Sequence, residues 1–437
     1  MNNKLLYTAF VVAMAGFLFG FDTVVISGAD QQLQELWKTS DLFHGTFVMS
    51  MALWGTVIGA IFAHIPCNGI GRKKTLFWIG VLYLISALGS GLATDPYTFS
   101  IFRFLGGLGV GASTVAAPTY VSEIAPAKNR GKLVVLYQLN IVLGILIAFI
   151  SNYLLQNTGA QPWRWMVGIE ALPALIYVLA ISRIPESPRW LLDKKGEVKK
   201  AKEIYLELTG TEMDLSLWTS TEQTQNPKKP LFDKKYRFPL ILAFLIAFFN
   251  QLSGINAFLY YAPRIFESAG LEASASLLSS IGIGVTNLLF TLLGLYLIDK
   301  LGRKTLMYIG SFGYIISLFL VAMAFLLDWE GIMVPIFLFL FIAAHAIGQG
   351  SVIWVFISEI FPTEVRAQGQ SFGSSTHWVL AALITLFMPV AMAGLSSPGF
   401  VFLFFAAMMV LQLVFVIFMM PETKGKTLEE LQESILK

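Results

Sequence analysis

Twelve apolar stretches, each close to the length that crosses a lipid bilayer, constrain the fold of this chain of 437 residues more than any other feature. A bilayer-spanning helix needs roughly 20 mostly apolar residues. The stretches are continuous and lack the period-two alternation of membrane strands. We therefore expect an all-α membrane protein with twelve transmembrane helices, at about 5–28, 45–65, 75–93, 98–122, 133–155, 166–184, 238–263, 276–298, 305–327, 334–358, 369–393 and 400–420.

The composition excludes a water-soluble enzyme of this size. Charged residues make up 13% of the chain, about half of the roughly 25% that soluble domains carry. The apolar content of 56% excludes a disordered chain, and the single cysteine, Cys67, excludes a disulfide scaffold. The sequence shows no metal-ligand cluster, cofactor motif or Ser-His-Asp arrangement, and the net charge of +3 is too small to favour nucleic acid. We expect no enzyme, no cofactor, no metal and no nucleic-acid partner.

The positions of the basic residues predict the orientation in the membrane. If both termini face the cytoplasm, 26 of the 30 Lys and Arg residues lie in cytoplasmic segments. The outer loops then hold Lys38, Arg164 and Arg264, and Arg103 lies inside the fourth span. Because cytoplasmic loops carry an excess of Lys and Arg, both termini are expected in the cytoplasm. The short outer loops fit a bacterial plasma membrane.

Residues 185–237 form the one long polar segment. Apolar residues at helical spacing from Asp193 to Thr209 predict an amphipathic surface helix near the membrane, and a solvated linker with a helical stretch remains an equal alternative. The expected organisation is a six-helix bundle at 1–184, a cytoplasmic linker at 185–237, a second six-helix bundle at 238–420 and a cytoplasmic tail at 421–437.

The chain repeats itself across this linker. Three motifs recur in the same order: GRK at 71–73 and 302–304, SEIAP at 122–126 with SEIFP at 358–362, and IPES at 184–187 with MPET at 420–423. Two parallel halves of this kind place a substrate site near the bilayer midplane, and transport proceeds by rocking one half against the other.

The repeated motifs place carboxylates beside arginines at the cytoplasmic ends of the spans. Ordinary interfacial anchoring could explain such charges. Their recurrence in both halves favours a gate of inter-helix ion pairs that form when the cytoplasmic side closes. The candidates for this gate are Arg72, Glu123, Arg130, Glu186, Asp299, Arg303, Glu359, Arg366 and Glu422.

Neutral amides inside the spans both donate and accept hydrogen bonds without a buried charge. A lone amide in a span more often joins two helices. Two of the five flank a Ser-Gly pair at 253–254, where the seventh span is expected to be bent or broken. The five amides are Gln138, Asn250, Gln251, Asn256 and Asn287.

Three ionisable residues lie well inside spans: Asp22, Arg103 and Glu170. A charge at the bilayer centre costs roughly 2.5–3.5 kcal/mol on insertion scales. Such residues are expected to be paired and to have a functional role.

Taken together, these motifs resemble those of the sugar porter family of the major facilitator superfamily. The resemblance rests on FGFDTVVISG at 19–28, the stretch from Arg103 through Gly111 to Arg130-Gly131, PESPRW at 185–190, QLSGIN at 251–256 and PETKG at 421–425. It covers essentially the whole chain. It implies twelve helices in two bundles, a monosaccharide substrate, alternating access, and kinship with bacterial proton–xylose symporters and animal facilitative glucose transporters.

The resemblance also implies roles for individual residues. Positions matching Gln138, Gln251, Asn256 and Asn287 hydrogen-bond the sugar in the family. Phe19 and Trp354 match aromatic positions that wall the site, and Tyr260 and Tyr261 match an extracellular gate.

The chain departs from the family pattern in several places. Asn250 stands where the family usually has Gln, so its contact is expected to be lost or bridged by water. No proline precedes Trp354, which predicts a softer break in the tenth span. His377 replaces a common Gln or Asn and, with His345, resembles the fructose-transporting branch. Asn68 replaces an Asp and predicts a weaker first ion-pair cluster.

Energy coupling follows from the same resemblance. The positions of Asp22 and Arg103 face each other in the family. Proton-coupled members carry the Asp, facilitative animal members commonly have Asn, and Glu170 matches a second acidic position. We expect a functional monomer in the lipid bilayer that carries sugar with a proton, with Asp22 as the proton carrier. A facilitative uniporter, a drug–proton antiporter and a non-transporting sugar sensor are the alternatives, and the sequence does not name the sugar.

Overall fold

The structure is a computed structural model. It describes residues 2–126, 130–213, 231–329, 331–362, 365–426 and 430–431. The chain divides into two compact units. The first comprises Met1–Val25, Met51–Ser151 and Asn157–Asn226, and the second comprises Ile26–Ser50, Asn152–Gln156 and Pro227–Lys437. The expected bundles at 1–184 and 238–420, with the linker and the tail, stay a prediction.

Helices supply the regular structure of the described residues, in which no strand occurs. Single turns at Ile26–Gly28, Asp41–Phe43, His44–Met49, Pro188–Trp190, Leu191–Lys195 and Lys234–Tyr236 connect or extend longer helices. In chain order the longer helices are α1 Asn3–Val25, α2 Asp30–Trp37, α3 Met51–Phe62, α4 His64–Gly69, α5 Arg72–Leu92, α6 Pro96–Ile124, α7 Arg130–Leu155, α8 Pro162–Gly168, α9 Ala171–Arg183, α10 Val198–Thr209, α11 Arg237–Leu252, α12 Ile255–Ser268, α13 Ala273–Leu301, α14 Arg303–Leu326, α15 Met333–Ile347, α16 Gln349–Ile360, α17 Arg366–Gly394 and α18 Gly399–Phe418.

Among the described residues, twelve helical stretches are long and apolar enough to cross a membrane. This confirms the predicted fold class and number of spans. The seventh stretch, Lys234–Ser268, extends beyond the predicted 238–263, and the second, Asp41–Gly69, extends beyond 45–65. Each is longer than predicted because polar turns at its ends continue the helical backbone.

The seventh span is broken between α11 and α12, as predicted. Gly254 takes a positive φ of 87° between the two helices. The hydroxyl of Ser253 donates to the carbonyl oxygen of Asn250 at 2.6 Å and accepts from the backbone N–H of Ile255 at 3.3 Å. The side chain of Ser253 therefore bonds to backbone groups on both sides of the break, where helix ends leave them without intrahelical partners.

The tenth span is also broken, although proline is absent there. Gly348 separates α15 from α16 with a ψ of −103°, far from the helical value. That this break is softer than in other members of the family stays a prediction. Gly348 and Gly310 lie so close that a Cβ on Gly348 would sit 2.8 Å from the Cα of Gly310. The two glycines let the ninth and tenth spans pack with their backbones in contact. This close packing occurs at the interruption of the tenth span, where no proline is present.

Small residues in the first unit allow helices to touch through their backbones. A Cβ on Gly16 of α1 would lie 2.6 Å from the carbonyl oxygen of Tyr137 on α7. Gly55 and Gly59 of α3 likewise face backbone atoms of α6. Glycine at these positions gains van der Waals contact between helices where lipid supplies no hydrophobic driving force.

The expected helix of the polar linker begins later than predicted. Residues 191–195 form a single π-helical turn, and Gly196 then adopts a left-handed conformation, so α10 starts at Val198 instead of Asp193. The glycine ends the first turn because it takes positive φ without a steric penalty. Ala201 and Leu208 form the buried face of α10, and Lys4 of α1 pairs with Glu207 at 2.9 Å. Residues 214–230 lie outside the described part.

A substitution at Gly71 tests the turn that precedes α5. Gly71 has a φ of 104° and a ψ of 165°, a region open almost only to glycine, and strain there is of the order of 1–3 kcal/mol. An alanine Cβ would also meet the Glu186 carboxylate. We expect Gly71→Ala to lower the thermal unfolding midpoint in detergent. Gly69→Ala is the matched control, because its Cβ meets nothing within 4 Å. Equal midpoints for the two variants would contradict this account.

Candidate functional site

An ion pair deep in the first unit joins α1 to α6. Nη1 of Arg103 donates to Oδ1 of Asp22 at 2.5 Å, and Nη2 donates to the backbone carbonyl oxygen of Asp22 at 3.0 Å. Each side chain is 1% exposed. Two contacts from one guanidinium fix the relative position of the two helices. Taking both charges out of water is expensive, so the pair persists only because each charge neutralises the other.

Glu170 lies beside this pair. It occupies the turn between α8 and α9 and is fully buried. Asp22 and Arg103 are its electrostatic neighbours. Asp22 is also the neighbouring hydrogen-bonding side chain of Glu170, and no N–H or hydroxyl donor reaches either carboxylate oxygen of Glu170 in the described part of the chain. The site therefore gathers two carboxyl groups around one guanidinium, which can neutralise only one of them.

A second charged cluster of the first unit lies where α5 begins and α6 ends. Nε and Nη2 of Arg72 donate to both carboxylate oxygens of Glu123 at 2.8–3.1 Å. The hydroxyl of Ser187 donates to the same carboxylate at 2.5 Å. Glu186 instead accepts from the backbone N–H of Lys73 at 3.0 Å. Its carboxylate thus caps the start of α5, where helix N–H groups have no partner of their own.

The second unit repeats this arrangement at the start of α14. Nη2 of Arg303 donates to Glu359 at 2.8 Å, and the hydroxyl of Thr423 donates to Glu359 at 2.6 Å. Glu422 accepts from the backbone N–H groups of Arg303 and Lys304 at 3.0 and 2.9 Å. The two sequence motifs therefore build the same set of contacts twice.

Glu422 has a lowered pKa. Burial opposes its ionisation, but N–H donors from the backbone of Lys424, Arg303, Lys304 and Thr423 outweigh burial. Because these donors bond the charged form, the contribution of Glu422 to stability is present above the pKa of an unfolded glutamate. It is lost as the pH falls through the lowered value.

The remaining members of the predicted gate differ in their contacts. Asp299 lies 3.1 Å from Nη1 of Arg303, but its side chain is 82% exposed. Arg366 donates to the carbonyl oxygen of Phe361 at 3.2 Å. The side chain of Arg130 lies outside the described residues. Glu186 and Glu422 bond to backbone N–H groups in place of the expected arginine side chains, because unpaired N–H donors at a helix start lie nearer to them.

The predicted sugar-binding amides of the second unit meet at the broken seventh span. Nδ2 of Asn256 donates to Oε1 of Gln251 at 2.7 Å, and Nε2 of Gln251 donates to Oδ1 of Asn250 at 3.0 Å. Nε2 of Gln251 also lies 3.1 Å from the ring nitrogens of His377. All three amides are buried. The expectation that the sugar contact of Asn250 is lost or bridged by water stays a prediction, and Asn250 accepts a hydrogen bond from Gln251.

The aromatic candidates of the second unit lie next to these amides or near the far end of the seventh span. The rings of Trp354 and His377 are 5.0 Å apart, and Trp354 is 39% exposed. Tyr261 lies at a kink within α12, and its hydroxyl donates to the carbonyl oxygen of Thr385 at 2.8 Å. Tyr260 is buried on the same helix.

Asn287, Gln138 and Phe19 are the remaining candidates for the sugar site. Asn287 on α13 is 8% exposed, and Thr291 donates to its oxygen at 3.4 Å. Gln138 on α7 and Phe19 on α1 belong to the first unit, and both are half-buried. The structure therefore brings together Asn250, Gln251, Asn256, His377 and Trp354 within one unit.

The sequence profile of the family described as "Sugar (and other) transporter" matches residues 8–435. The chain belongs to this family. It is a multi-pass transporter of the bacterial inner membrane, with the twelve-helix major facilitator fold.

Relatives of this sugar transporter cover nearly its whole length. The arabinose-proton symporter of Bacillus subtilis is 34% identical, over 97% of this chain and 93% of its own. The D-xylose-proton symporter of Escherichia coli is 31% identical, over 99% of this chain and 96% of its own. A solved structure of the xylose transporter XylE from E. coli, in an inward-open conformation, has a TM-score of 0.86 at 31% identity and covers 99% of this chain and all of its own.

Sequence reasoning missed a charged cluster in the second unit of the transporter. Asp30 of α2 is 1% exposed and lies 2.7 Å from Nε2 of His44 and 2.7 Å from Nε of Arg264 on α12. Arg264 also donates to Gln34 at 2.5 Å. Asp30 stands two residues beyond the predicted first span, so a count limited to charges inside spans omitted it. The signal in the sequence that could have revealed this cluster is an acidic residue, Asp30, directly after an apolar stretch.

The charge balance around Arg103 can be tested by paired substitutions. Asp22→Asn leaves Arg103 with Glu170 as its remaining carboxyl neighbour, whereas Asp22→Asn with Glu170→Gln leaves a buried guanidinium without any. We expect the double variant to be less stable than the sum of the single effects by about 1 kcal/mol or more, in the range measured for contacting residues. Thermal unfolding in detergent measures this difference. Additive losses would show that Glu170 does not share the charge.

Proposed function

We propose that this chain is a proton-coupled monosaccharide symporter that works by alternating access. The observation that carries the proposal is the buried group formed by Asp22, Arg103 and Glu170, because one guanidinium with two carboxyls provides a place for one exchangeable proton. Relatives named as arabinose-proton and D-xylose-proton symporters support it. A structure of the related proton:xylose symporter bound to 6-bromo-6-deoxy-D-glucose supports a hexose or pentose as substrate.

The proton cycle in this proposal runs through the side chain of Asp22. A proton from the outside binds the carboxylate and removes the charge that holds Arg103. The freed guanidinium then turns toward Glu170, its other carboxyl neighbour, and α1 can move relative to α6. When Arg103 pairs with Asp22 again, the proton leaves on the cytoplasmic side.

The sugar in this proposal is held by neutral amides and bounded by aromatic side chains. Hydroxyl groups of the sugar replace hydrogen bonds that the amide side chains make with one another, such as the bond from Asn256 to Gln251. Tyr260 and Tyr261 form the extracellular gate. The proposed sugar ligands are Gln138, Asn250, Gln251, Asn256, Asn287 and His377, with Phe19 and Trp354 as walls.

The paired charged clusters serve as the cytoplasmic gate, and both termini lie on that side of the membrane. The contacts of Arg72 with Glu123 and of Arg303 with Glu359 form when this side closes and break when it opens. Residues that belong to the same turns support them, namely Arg130, Glu186, Asp299, Arg366 and Glu422. The protein acts as a monomer in the lipid bilayer. A competition panel of D-glucose, D-fructose, D-xylose, D-galactose and L-arabinose identifies the preferred sugar.

Asp22→Asn separates symport from uniport. The amide keeps the size of the carboxylate but binds no proton, so we expect loss of sugar accumulation driven by a proton gradient in vesicles. Exchange of labelled for unlabelled sugar at equal concentrations should persist, because exchange needs no net proton movement. Asp328→Asn is the matched control, since Asp328 is exposed and its φ of 50° is one that Asn also adopts. Gradient-driven accumulation by Asp22→Asn at the wild-type level would show that Asp22 is not the proton carrier.

Glu359→Gln tests the proposed gate. It removes the charge that pairs with Arg303 while keeping the size of the side chain, so the cytoplasmic side closes less readily. We expect the maximal rate of net uptake to fall several-fold, because about 1.4 kcal/mol changes a rate tenfold. The matched control is Glu207→Gln, which removes the charge of an exposed pair with Lys4 that contributes about 0–1 kcal/mol. Equal rates for the two variants would assign the charges to anchoring only.

A further inference from the structure

A chain of buried amides runs through the second unit beyond the proposed sugar ligands. Asn250 donates through Nδ2 to Oε1 of Gln349 at 3.4 Å. Gln349 donates through Nε2 to Oε1 of Gln412 at 2.9 Å, and Gln412 donates to the hydroxyl of Ser311 at 2.8 Å. With the contacts of Asn256 and Gln251 this makes one continuous series. We call it the amide relay: Asn256, Gln251, Asn250, Gln349, Gln412 and Ser311.

The amide relay has one direction. At every step the NH2 group of one side chain donates to the oxygen of the next, from Asn256 at the start to Ser311 at the end. Hydrogen bonds aligned in this way polarise one another and strengthen the series. A carboxamide has nearly the same shape in either orientation, so only its hydrogen bonds decide which end faces the substrate.

Gln349 fixes this direction because its surroundings allow only one orientation. Its Nε2 also faces the backbone carbonyl oxygen of Ile246 at 3.4 Å, an acceptor that cannot rotate. A flipped Gln349 would place its oxygen against the oxygens of Ile246 and Gln412 and its NH2 against the NH2 of Asn250. Gln349 is fully buried, so water does not compensate for such mismatches.

The amide relay also links the elements that are interrupted. Asn250 lies in the last turn of α11, the first half of the broken seventh span, and Gln349 is the first residue after the break in the tenth span at Gly348. Gln412 on α18 and Ser311 on α14 belong to uninterrupted helices. The series therefore connects the two broken spans to two continuous ones through buried side chains.

We propose that Gln349, held by Gln412, is a positioning residue that fixes which ends of the Asn250 and Gln251 amides face the sugar. Gln349 does not contact the sugar itself, and the inference rests on the proposed sugar site. Without Gln349 the amides of Asn250 and Gln251 form hydrogen bonds with other groups, and they must reorient before the sugar binds. Sugar affinity then falls even when the fold is intact.

The test measures the dissociation constant of purified full-length protein for the tightest-binding of D-glucose, D-xylose and L-arabinose, together with the thermal unfolding midpoint. We expect Gln349→Met to raise the dissociation constant about tenfold, the size that one misdirected buried hydrogen bond produces. The maximal transport rate at saturating sugar should change less than the dissociation constant. Gln156→Met is the matched control, since that amide donates locally to the carbonyl oxygen of Tyr153.

The order of the series gives a second, independent readout. Gln412→Met should raise the dissociation constant about threefold, because Gln349 keeps its bond to Ile246, and one weakened buried contact has an effect of this order. Adding Gln412→Met to Gln349→Met should change nothing further, since Gln412 acts through Gln349. If Gln349→Met does not fold, Gln412→Met alone decides.

Three results would contradict the inference. A wild-type dissociation constant for Gln349→Met or Gln412→Met, even with a lower unfolding midpoint, assigns these residues to stability only. Effects that multiply in the double variant show that the two act separately. Wild-type protein that binds none of the five sugars of the competition panel overturns the proposed function as well, whereas normal wild-type binding with unaffected variants overturns this inference alone.

Discussion

The pairing of Arg103 with Asp22 is the constraint on which the rest of this transporter depends. A guanidinium with 1% exposure inside a membrane-spanning unit can exist only beside a negative charge. That requirement holds α1 against α6, and it gives the fold a charge whose loss has a large structural effect. Glu170 adds a second carboxyl within electrostatic reach. The same group is the proposed proton-binding element, because protonation of one carboxyl would leave the guanidinium with the other.

The two halves of the chain place polar groups alike at the ends of their helices and differently in their interiors. At the starts of α5 and α14 the same contacts recur: arginine with glutamate, a hydroxyl on that glutamate, and a second carboxylate on the helix N–H groups. In the interior the first unit concentrates charge and the second unit concentrates neutral amides. The proposed proton site therefore belongs to the first unit, and most of the proposed sugar contacts belong to the second.

The sequence predicted the fold well because spans, basic loops and the repeat are strong periodic signals. It also located the pair of Asp22 with Arg103, since charges inside spans are rare. It did not show that Glu186 and Glu422 cap helices, because a cap depends on where a helix starts to within one residue. The geometry of the break at Gly348 was not predicted, since it accompanies a close approach between two glycines that lie 38 positions apart in the sequence. Gln349 and Gln412 were overlooked as isolated amides; only their contacts reveal one series.

Coupling between the proton and the sugar is the central claim, and its stoichiometry tests it most directly. Purified protein in proteoliposomes carries labelled sugar across a membrane with opposing sugar and proton gradients, and the gradient ratio at which net flux stops gives the number of protons moved per sugar. The account predicts one proton per sugar, because Arg103 can release only one carboxyl at a time. Net flux that stops when the sugar concentrations are equal on both sides, whatever the proton gradient, would contradict it.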